Sequence, residues 1–406
     1  MASQDRARPR VVLGVGAGIA AYKACELLRL FTESGHEVRV VPTRDALRFV
    51  GEPTWAALSG NPVTSEVWES VHEVPHVRIG QGADLVVVAP ATADILAKAA
   101  HGLAGDLLTN TLLTARCPVV FAPAMHTEMW EHPATRANVA TLRERGSLVI
   151  DPAVGRLTGA DTGPGRLPDP LQIFEVCRLV LAGRDRDLAG RRVVISAGGT
   201  REAIDPVRFI GNRSSGLQGY ALARTAVARG AEVTLVAANV ALPDPAGAKV
   251  VRVESAADLR AAVFEAAEHA DAVVMAAAVA DFRPVARSDS KIKKTSAEPE
   301  PIHLAKNPDI LAELCDRRRQ GGKPAPEVIA GFAAETDDVL ANGRAKLARK
   351  GCDLLVVNQV GENLAFGTPD NAAVVLVAGG DPVEIPRGPK EALADVVWDL
   401  IAARLA

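Results

Sequence analysis

The 406-residue sequence predicts an α/β protein built as two doubly wound domains in tandem. Three observations carry this. Short apolar runs such as Asp84-Leu85-Val86-Val87-Val88-Ala89 alternate with Ala-rich helical stretches, the pattern of parallel strands buried on both faces. The alternation starts afresh at Val193-Val194-Ile195. Each start runs into a small-residue turn, Gly14-Val15-Gly16-Ala17-Gly18 in the first half and Ser196-Ala197-Gly198-Gly199-Thr200 in the second. In the second half Asn212-Arg213-Ser214-Ser215-Gly216 then leads into the Ala-rich helical segment Leu217–Arg229, and a strand, a polar glycine loop and a helix amino terminus offer backbone N–H groups and the helix dipole to an anion.

In the first half, Arg10–Val15 is the opening strand and Ala20–Phe31 its helix. Glu37–Pro42, Asp84–Ala89 and Pro118–Ala122 follow as strands, with helices at Ala93–Ala100, Leu107–Ala115 and Pro133–Arg145, the last feeding Leu148-Val149-Ile150. Asp151–Pro170 is dense in Gly, Pro, Asp and Thr and reads as a loop long enough to be a lid. Leu171–Leu181 closes this half as a helix. The expected domains are therefore residues 1–181 and 192–406, joined by a charged linker at 182–191. The second half places strands at Val193–Ile195, Glu232–Ala237, Lys249–Val253, Ala272–Ala276, Val328–Gly331 and Leu354–Asn358. Its helices are Leu217–Arg229, Ala256–His269, Pro308–Arg318, Val339–Lys350 and Pro389–Leu405, and Ala372–Val377 with Pro382–Ile385 flank Gly379-Gly380-Asp381 as a hairpin.

Composition narrows the function. A net charge of −3 gives no global field for nucleic acid or an anionic membrane, and 4% aromatic residues leave no base-stacking platform. The five cysteines, Cys25, Cys117, Cys177, Cys315 and Cys352, form no CxxC pair, which argues for reduced thiols in the cytoplasm and against a disulfide frame or zinc site. No apolar run reaches the ~18 residues of a membrane span, and the lead-in MASQDRARPR has no signal character.

Several segments sit where open α/β sheets bind ligands, at strand carboxyl ends. Ala89-Pro90-Ala91-Thr92-Ala93-Asp94 is one, although Thr92 there also suits a plain helix N-cap. Pro123-Ala124-Met125-His126-Thr127-Glu128-Met129-Trp130 is another, its methionines and tryptophan either core or pocket wall. His76, in VPHVRIGQGADL just before a strand, is by residue type alone more often a bland histidine. In the second half, Ala276–Pro284 precedes Lys291-Ile292-Lys293-Lys294, a carboxylate and a lysine cluster suited to a nucleoside triphosphate with Mg²⁺, or simply a solvated charged face. No GxxxxGK[ST] sequence is present, so the second half is not a P-loop kinase. Lys306-Asn307-Pro308-Asp309-Ile310 starts a helix with Asn307 or Asp309 near the cap, and Lys346 and Lys350 share one face of another.

The segments GAGIAAYK, VPTRDALRF, PHVRIG, APATAD, GLAGDLLT and PAMHTEMW resemble, in this order, the flavin-dependent cysteine decarboxylase family. With SAGGTRE, DPVRFIGNRSSG, AAAVADF, KIKK, KNPDI and GFAAET added, nearly the whole chain is similar to the bifunctional phosphopantothenoylcysteine decarboxylase/phosphopantothenate–cysteine ligase family of coenzyme A biosynthesis. The resemblance implies two Rossmann-like domains, flavoprotein-type first and CTP-binding ligase second. It implies FMN at Gly16, Ala17, Gly18, Ile19, Ala20, Thr43, Ala89, Pro90, Ala91 and Thr92, with His76 as the active-site histidine. It implies CTP at Met275, Ala276, Ala277, Asp281, Lys291, Pro308, Asp309, Ile310, Leu311, Phe332, Lys346 and Lys350, with Asp281 holding Mg²⁺. Lys291 matches the lysine that forms the acyl-cytidylate, and Asn212 and Arg208 match residues used around that intermediate.

Three positions depart from the family pattern. His126 stands where a PxMN motif usually has the asparagine that holds the substrate carboxylate. Gly159 stands where a lid cysteine often protonates the enethiolate, which leaves the proton donor unassigned. Leu217 replaces a lysine common after SSG. The resemblance also implies small-molecule partners (4′-phosphopantothenate, cysteine and CTP) and a homo-oligomer, a dodecamer of decarboxylase trimers and ligase dimers, in which His76 could act on flavin held by a neighbour. Two rivals remain. A nicotinamide-dependent dehydrogenase lacks support because the third glycine of the dinucleotide turn is missing. A regulatory flavoprotein with only the ligase half active is kept open by His126 and Gly159.

Overall fold

The computed structural model describes residues 8–63, 75–157, 162–183, 186–293, 301–322, 324–335, 339–359 and 370–406. Gly159, Lys294 and Thr336, which belong to motifs named above, lie outside the described residues. Chain contacts divide the molecule into two units, residues 1–185 with 245–247, and residues 186–244 with 248–406.

The first unit runs β1 (Arg10–Val15), α1 (Ala21–Glu33), β2 (Glu37–Pro42), α2 (Glu52–Ser59), α3 (Pro75–Gly82), β3 (Leu85–Ala91), α4 (Ala93–His101), α5 (Leu107–Thr114), β4 (Val119–Pro123), α6 (Thr127–Glu131), α7 (Pro133–Glu144), β5 (Leu148–Val149), β6 (Ala153–Arg156), β7 (Thr162–Arg166) and α8 (Pro170–Leu181). Five parallel strands stand in the order β2-β1-β3-β4-β5. Every residue of β3 is buried, as its unbroken apolar run requires for a strand covered on both faces. Val86 and Val88 pack with Leu96, Leu107 and Leu108 on one side, while Phe31 of α1 meets Phe174 of α8 edge to face, with ring centroids 5.2 Å apart.

His76 lies on helix α3, directly before β3 as expected. Gly80 makes this helix possible, because a Cβ there would stand 2.3 Å from Thr114 Oγ1 and 2.8 Å from the Thr111 carbonyl of α5. One expectation changes here. The Asp151–Pro170 stretch is not a plain loop: β6 and β7 pair antiparallel as a hairpin. Two of its glycines serve close approach. A Cβ on Gly165 would sit 2.2 Å from the Met125 carbonyl oxygen, and one on Gly163 would sit 2.4 Å from Thr127 Oγ1.

The second unit runs β8 (Arg192–Gly198), β9 (Arg201–Ala203), β10 (Phe209–Gly211), α9 (Leu217–Ala228), β11 (Glu232–Ala238), β12 (Ala248–Val253), α10 (Ala256–Ala267), β13 (Ala272–Met275), β14 (Phe282–Pro284), β15 (Leu304–Lys306), α11 (Ile310–Arg319), β16 (Val328–Glu335), α12 (Val339–Lys350), β17 (Leu354–Gln359), β18 (Asp370–Val377), β19 (Val383–Pro389) and α13 (Lys390–Leu405). Its eight-stranded sheet has the order β12-β11-β8-β13-β16-β17-β18-β19, parallel as far as β17 and antiparallel beyond. The period of two along β8 explains the layers. Val193 and Ile195 pack with Tyr220 of α9 and Trp398 of α13, whereas Val194 faces Leu259, Val263 and Leu314 of α10 and α11. The small hairpins β9–β10 and β14–β15 were not read from the sequence. Within 182–191, Leu188 is fully buried and Asp187 pairs with the buried Arg229, so its described part is not simply a solvated linker.

Candidate functional sites

In the order β2-β1-β3, β1 is the strand from which connections run to opposite sides, and the crevice beside its carboxyl end is the natural ligand position. Backbone bonds draw the predicted segments to this edge. Gly16 N–H donates to the Pro90 carbonyl (3.0 Å), Thr43 N–H to Val15 (2.9 Å) and Ala124 N–H to Ala91 (3.1 Å). Met125 N–H donates to Gly165 of the hairpin (2.9 Å). The β3–β4 register shifts between Val88 and Ala91, so the strand end at Ala89, Pro90 and Ala91 is bent where the crevice opens.

Five features of this edge suit a phosphate-bearing apolar ligand. Ala20 at the N-cap of α1 supplies no side-chain cap, and the N–H groups of Gly18, Ile19 and Ala20 have no hydrogen-bond partner among the described residues. A Cβ on Gly18 would meet nothing within 4 Å, so the backbone is open to close approach. Ile19 and Tyr22 stand beside it, 71% and 59% exposed. Burial and the neighbouring Arg166 guanidinium hold the Lys23 ammonium below its usual range, two cations near one uncapped helix end. Thr92 is the N-cap of α4, its Oγ1 accepting from Ile95 N–H at 3.3 Å; its hydroxyl proton is left to donate.

The other predicted residues of this unit are placed less closely. His76 is half-buried on α3, its carbonyl accepting from Thr114 Oγ1 (2.8 Å) and its Nδ1 buried without a partner among the described residues. No hydrogen bond among the described residues ties it to residues 16–20 or 89–92. His126 is exposed at the N-cap of α6, Met129 is exposed, and Trp130 is core beneath Arg136. The Gly-Asp-Leu-Leu-Thr segment is a helix start, with Asp106 and Thr109 forming a capping box on α5.

The second unit holds a cavity of about 970 Å³ at the carboxyl ends of its strands. Met275, Ala276, Ala277 and Asp281 line it from the β13 loop. Pro308, Asp309, Ile310 and Leu311 line it from the start of α11, and Phe332, Lys346 and Lys350 from β16 and α12. Asn212 is also on the wall, its Nδ2 donating to the Val279 carbonyl at 2.9 Å. Lys291 and Arg208 are not on the wall. Asp309 caps α11 through Ala312 N–H (3.1 Å) and forms an ion pair with Lys350. Asn358 lines the cavity with a buried Oδ1 that has no partner among the described residues, an acceptor open to a ligand donor.

The Ser196–Thr200 turn lies at the carboxyl end of β8, as expected. Its N–H groups are occupied internally: Gly199 donates to Ala238 (3.1 Å) and Thr200 to Ala278 (3.2 Å). The turn instead props the β13 loop, with the buried Ser196 Oγ accepting from Ala277 N–H (3.1 Å) and the buried Thr200 Oγ1 from Ala280 N–H (2.9 Å). Gly198 is required there, at φ +85° and with the Ala238 carbonyl oxygen 2.0 Å from where a Cβ would be. The helix start on this edge is that of α9, where Gly216 N–H donates to Ser214 Oγ (3.3 Å) and Leu217 N–H to Ser215 Oγ (3.5 Å), and residues 212–219 line the cavity. The residue that sequence reasoning missed is Lys390. It is 5% exposed at the start of α13, donates to the Asp370 carbonyl (3.3 Å) and lines the cavity, and burial lowers its pKa. Nothing in the local sequence separates it from a surface lysine in a helix.

A family model described as Flavoprotein matches residues 1–180, and one described as DNA/pantothenate metabolism flavoprotein C-terminal domain matches residues 188–405. The coenzyme A biosynthesis bifunctional protein CoaBC of Mycolicibacterium smegmatis is 59% identical over 407 residues, covering 98% of each chain. The chain belongs to the CoaBC family. The family protein of Mycobacterium tuberculosis is 56% identical over 414 residues, covering 100% of this chain and 99% of that one. Among solved structures, the C-terminal domain of a CoaBC is 35% identical with a TM-score of 0.46, covering 54% of this chain and 98% of that one. A PPC decarboxylase mutant complexed with pantothenoylaminoethenethiol is 33% identical with a TM-score of 0.40, covering 42% of this chain and 97% of that one.

Proposed function

We propose that this chain is a bifunctional enzyme of coenzyme A biosynthesis, whose second half ligates 4′-phosphopantothenate to cysteine and whose first half decarboxylates the product to 4′-phosphopantetheine. The observation that carries the reading is the cavity of the second unit, which collects every residue of the expected CTP set except Lys291. The division of labour falls at the 182–191 segment.

In the ligase half, Lys346 and Lys350 face the triphosphate and Asp281 holds Mg²⁺, which prefers few carboxylates plus phosphate oxygens. The phosphopantothenate carboxylate attacks the α-phosphorus and pyrophosphate leaves. Lys291 offsets the charge that builds there. Asn212 sits beside the acyl-cytidylate, and the amine of cysteine opens it with loss of CMP. Lys390 adds a cation on the same wall, suited to a substrate phosphate.

In the decarboxylase half, the open N–H groups of Gly18, Ile19 and Ala20 hold the FMN phosphate, with Gly16, Ala17, Thr43 and the Ala89–Thr92 strand end forming the cradle. Bound there, FMN supplies the two-electron redox chemistry that gives a cysteine carboxylate an electron sink. His126 donates a hydrogen bond to the substrate carboxylate, and His76 holds or moves a proton. The protein works in the cytoplasm with its thiols reduced, as a homo-oligomer of trimers of the first half and dimers of the second. Purified protein is expected to be yellow, to release pyrophosphate from CTP only with Mg²⁺ and phosphopantothenate, and to liberate carbon dioxide from phosphopantothenoyl-cysteine. Colourless protein that stays colourless when supplied with FMN, and yields no pyrophosphate, ends this reading.

A further inference from the structure

Asp205 is buried, 2% exposed, at the head of an otherwise exposed loop. Its carboxylate accepts from Val207 N–H and Arg208 N–H, both at 2.8 Å, and from Arg208 Nε and Nη2 at 2.9 and 2.5 Å. Those bonds close a local turn. Two others do not: Ile292 N–H donates to Asp205 Oδ2 at 3.1 Å, and Arg208 Nη2 donates to the Ile292 carbonyl at 2.8 Å. Both polar backbone groups of Ile292 are thus held by one ion pair more than 80 residues away in sequence. Ser288 N–H adds a bond to the Ile204 carbonyl at 3.0 Å, from the same loop. Packing does not hold this segment, since Ile292 is 48% exposed and residues 291–293 are all exposed.

We propose that Asp205 is a positioning residue for ligation: paired with Arg208, it clamps the Ile292 peptide and so sets where the adjoining Lys291 stands. The proposal rests on the reading that Lys291 acts in acyl-cytidylate formation. It also explains why Arg208 is absent from the cavity wall, since its guanidinium is engaged in the clamp. The Arg208 guanidinium holds the Asp205 carboxyl well below the usual carboxylate range, so the clamp stays charged at working pH.

The test uses the full-length enzyme with Asp205→Asn. A displaced lysine is expected to lower kcat for pyrophosphate release about 10- to 100-fold, leaving KM for CTP unchanged. Opening of a synthetic acyl-cytidylate by cysteine should stay at the wild-type rate, and hydrogen exchange at the Ile292 amide should quicken. Pyrophosphate release at the wild-type rate overturns the proposal, as does an equal fall in both ligation steps from a folded protein. Should Asp205→Asn not fold, Ile292→Pro removes the clamped N–H and leaves the ion pair. The same selective loss is expected, and wild-type pyrophosphate release again overturns the proposal. Lys291→Gln separates the two failures. If that variant still releases pyrophosphate normally, the reading of Lys291 falls and the clamp's role with it. If it is inactive while Asp205→Asn is normal, the clamp alone falls.

Discussion

The carboxyl edges of the two sheets solve one problem in different ways. In the first unit β1 runs straight into α1, and the turn between them leaves the N–H groups of Gly18, Ile19 and Ala20 without partners among the described residues. In the second unit the hairpin β9–β10 comes between β8 and α9, and the turn after β8 is bonded internally as a prop for the next loop. The first edge therefore presents open backbone amides, with Lys23 and Arg166 beside them, and the second gathers lysines on a cavity wall. On the proposed reading this matches the ligands. A resident cofactor suits fixed amides at a helix end. A triphosphate that must lose pyrophosphate needs cations placed where charge develops.

The largest effects should come from breaking the division itself. Lys291→Gln is expected to lower pyrophosphate release by about 10²- to 10³-fold with decarboxylation unchanged. His76→Asn should lower carbon dioxide release by about 10²- to 10⁴-fold with ligation unchanged. Assaying both reactions on each variant checks this, and loss of both from either folded variant would show that the halves are not independent. Next comes Gly16→Val. A Cβ there would stand 2.5 Å from the Pro90 carbonyl oxygen and 2.7 Å from Ile95 Cδ1, so the cradle must deform. The purified variant should be colourless yet still form phosphopantothenoyl-cysteine.

A smaller effect is expected on the second edge from Lys390→Met, about a 10-fold rise in KM for an anionic substrate, with no loss of flavin colour. Because burial lowers the Lys390 pKa, the ammonium is present below that pKa and lost as pH rises through it. Substrate affinity should therefore weaken at a lower pH than an exposed lysine would dictate, and Lys390→Met should remove that alkaline dependence. Smallest is Thr92→Val, which removes the N-cap of α4 and should cost about 1 kcal/mol, read as a lowered Tm, with ligation unaffected.

Strand and helix placement was legible wherever burial is repetitive. Leu85–Ala91 is covered on both faces and shows it as an unbroken apolar run, and α13 differs from its expected start by one residue. The hairpin β6–β7 was not legible, because Gly163 and Gly165 look like turn residues until the Met125 and Thr127 atoms they approach are known. The segments that the family resemblance assigns to the nucleotide meet at one cavity, Lys291 excepted, because they end or follow β13, lie in β16, start α11 or lie on α12. Arg208 and Lys390 show the limit. Each is a cation in a charged neighbourhood, and only its long-range partners separate a clamp from a ligand or a surface group.

From the residues alone came two doubly wound halves and the segments that line their carboxyl edges, because apolar periodicity and small-residue turns are local properties of the chain. The tertiary structure decided which turn stays open to an anion, which buried lysine reaches the cavity, and that the Asp205–Arg208 pair holds Ile292. Those outcomes depend on hydrogen bonds between groups up to more than 80 residues apart, and a one-dimensional pattern does not encode which donor finds which acceptor.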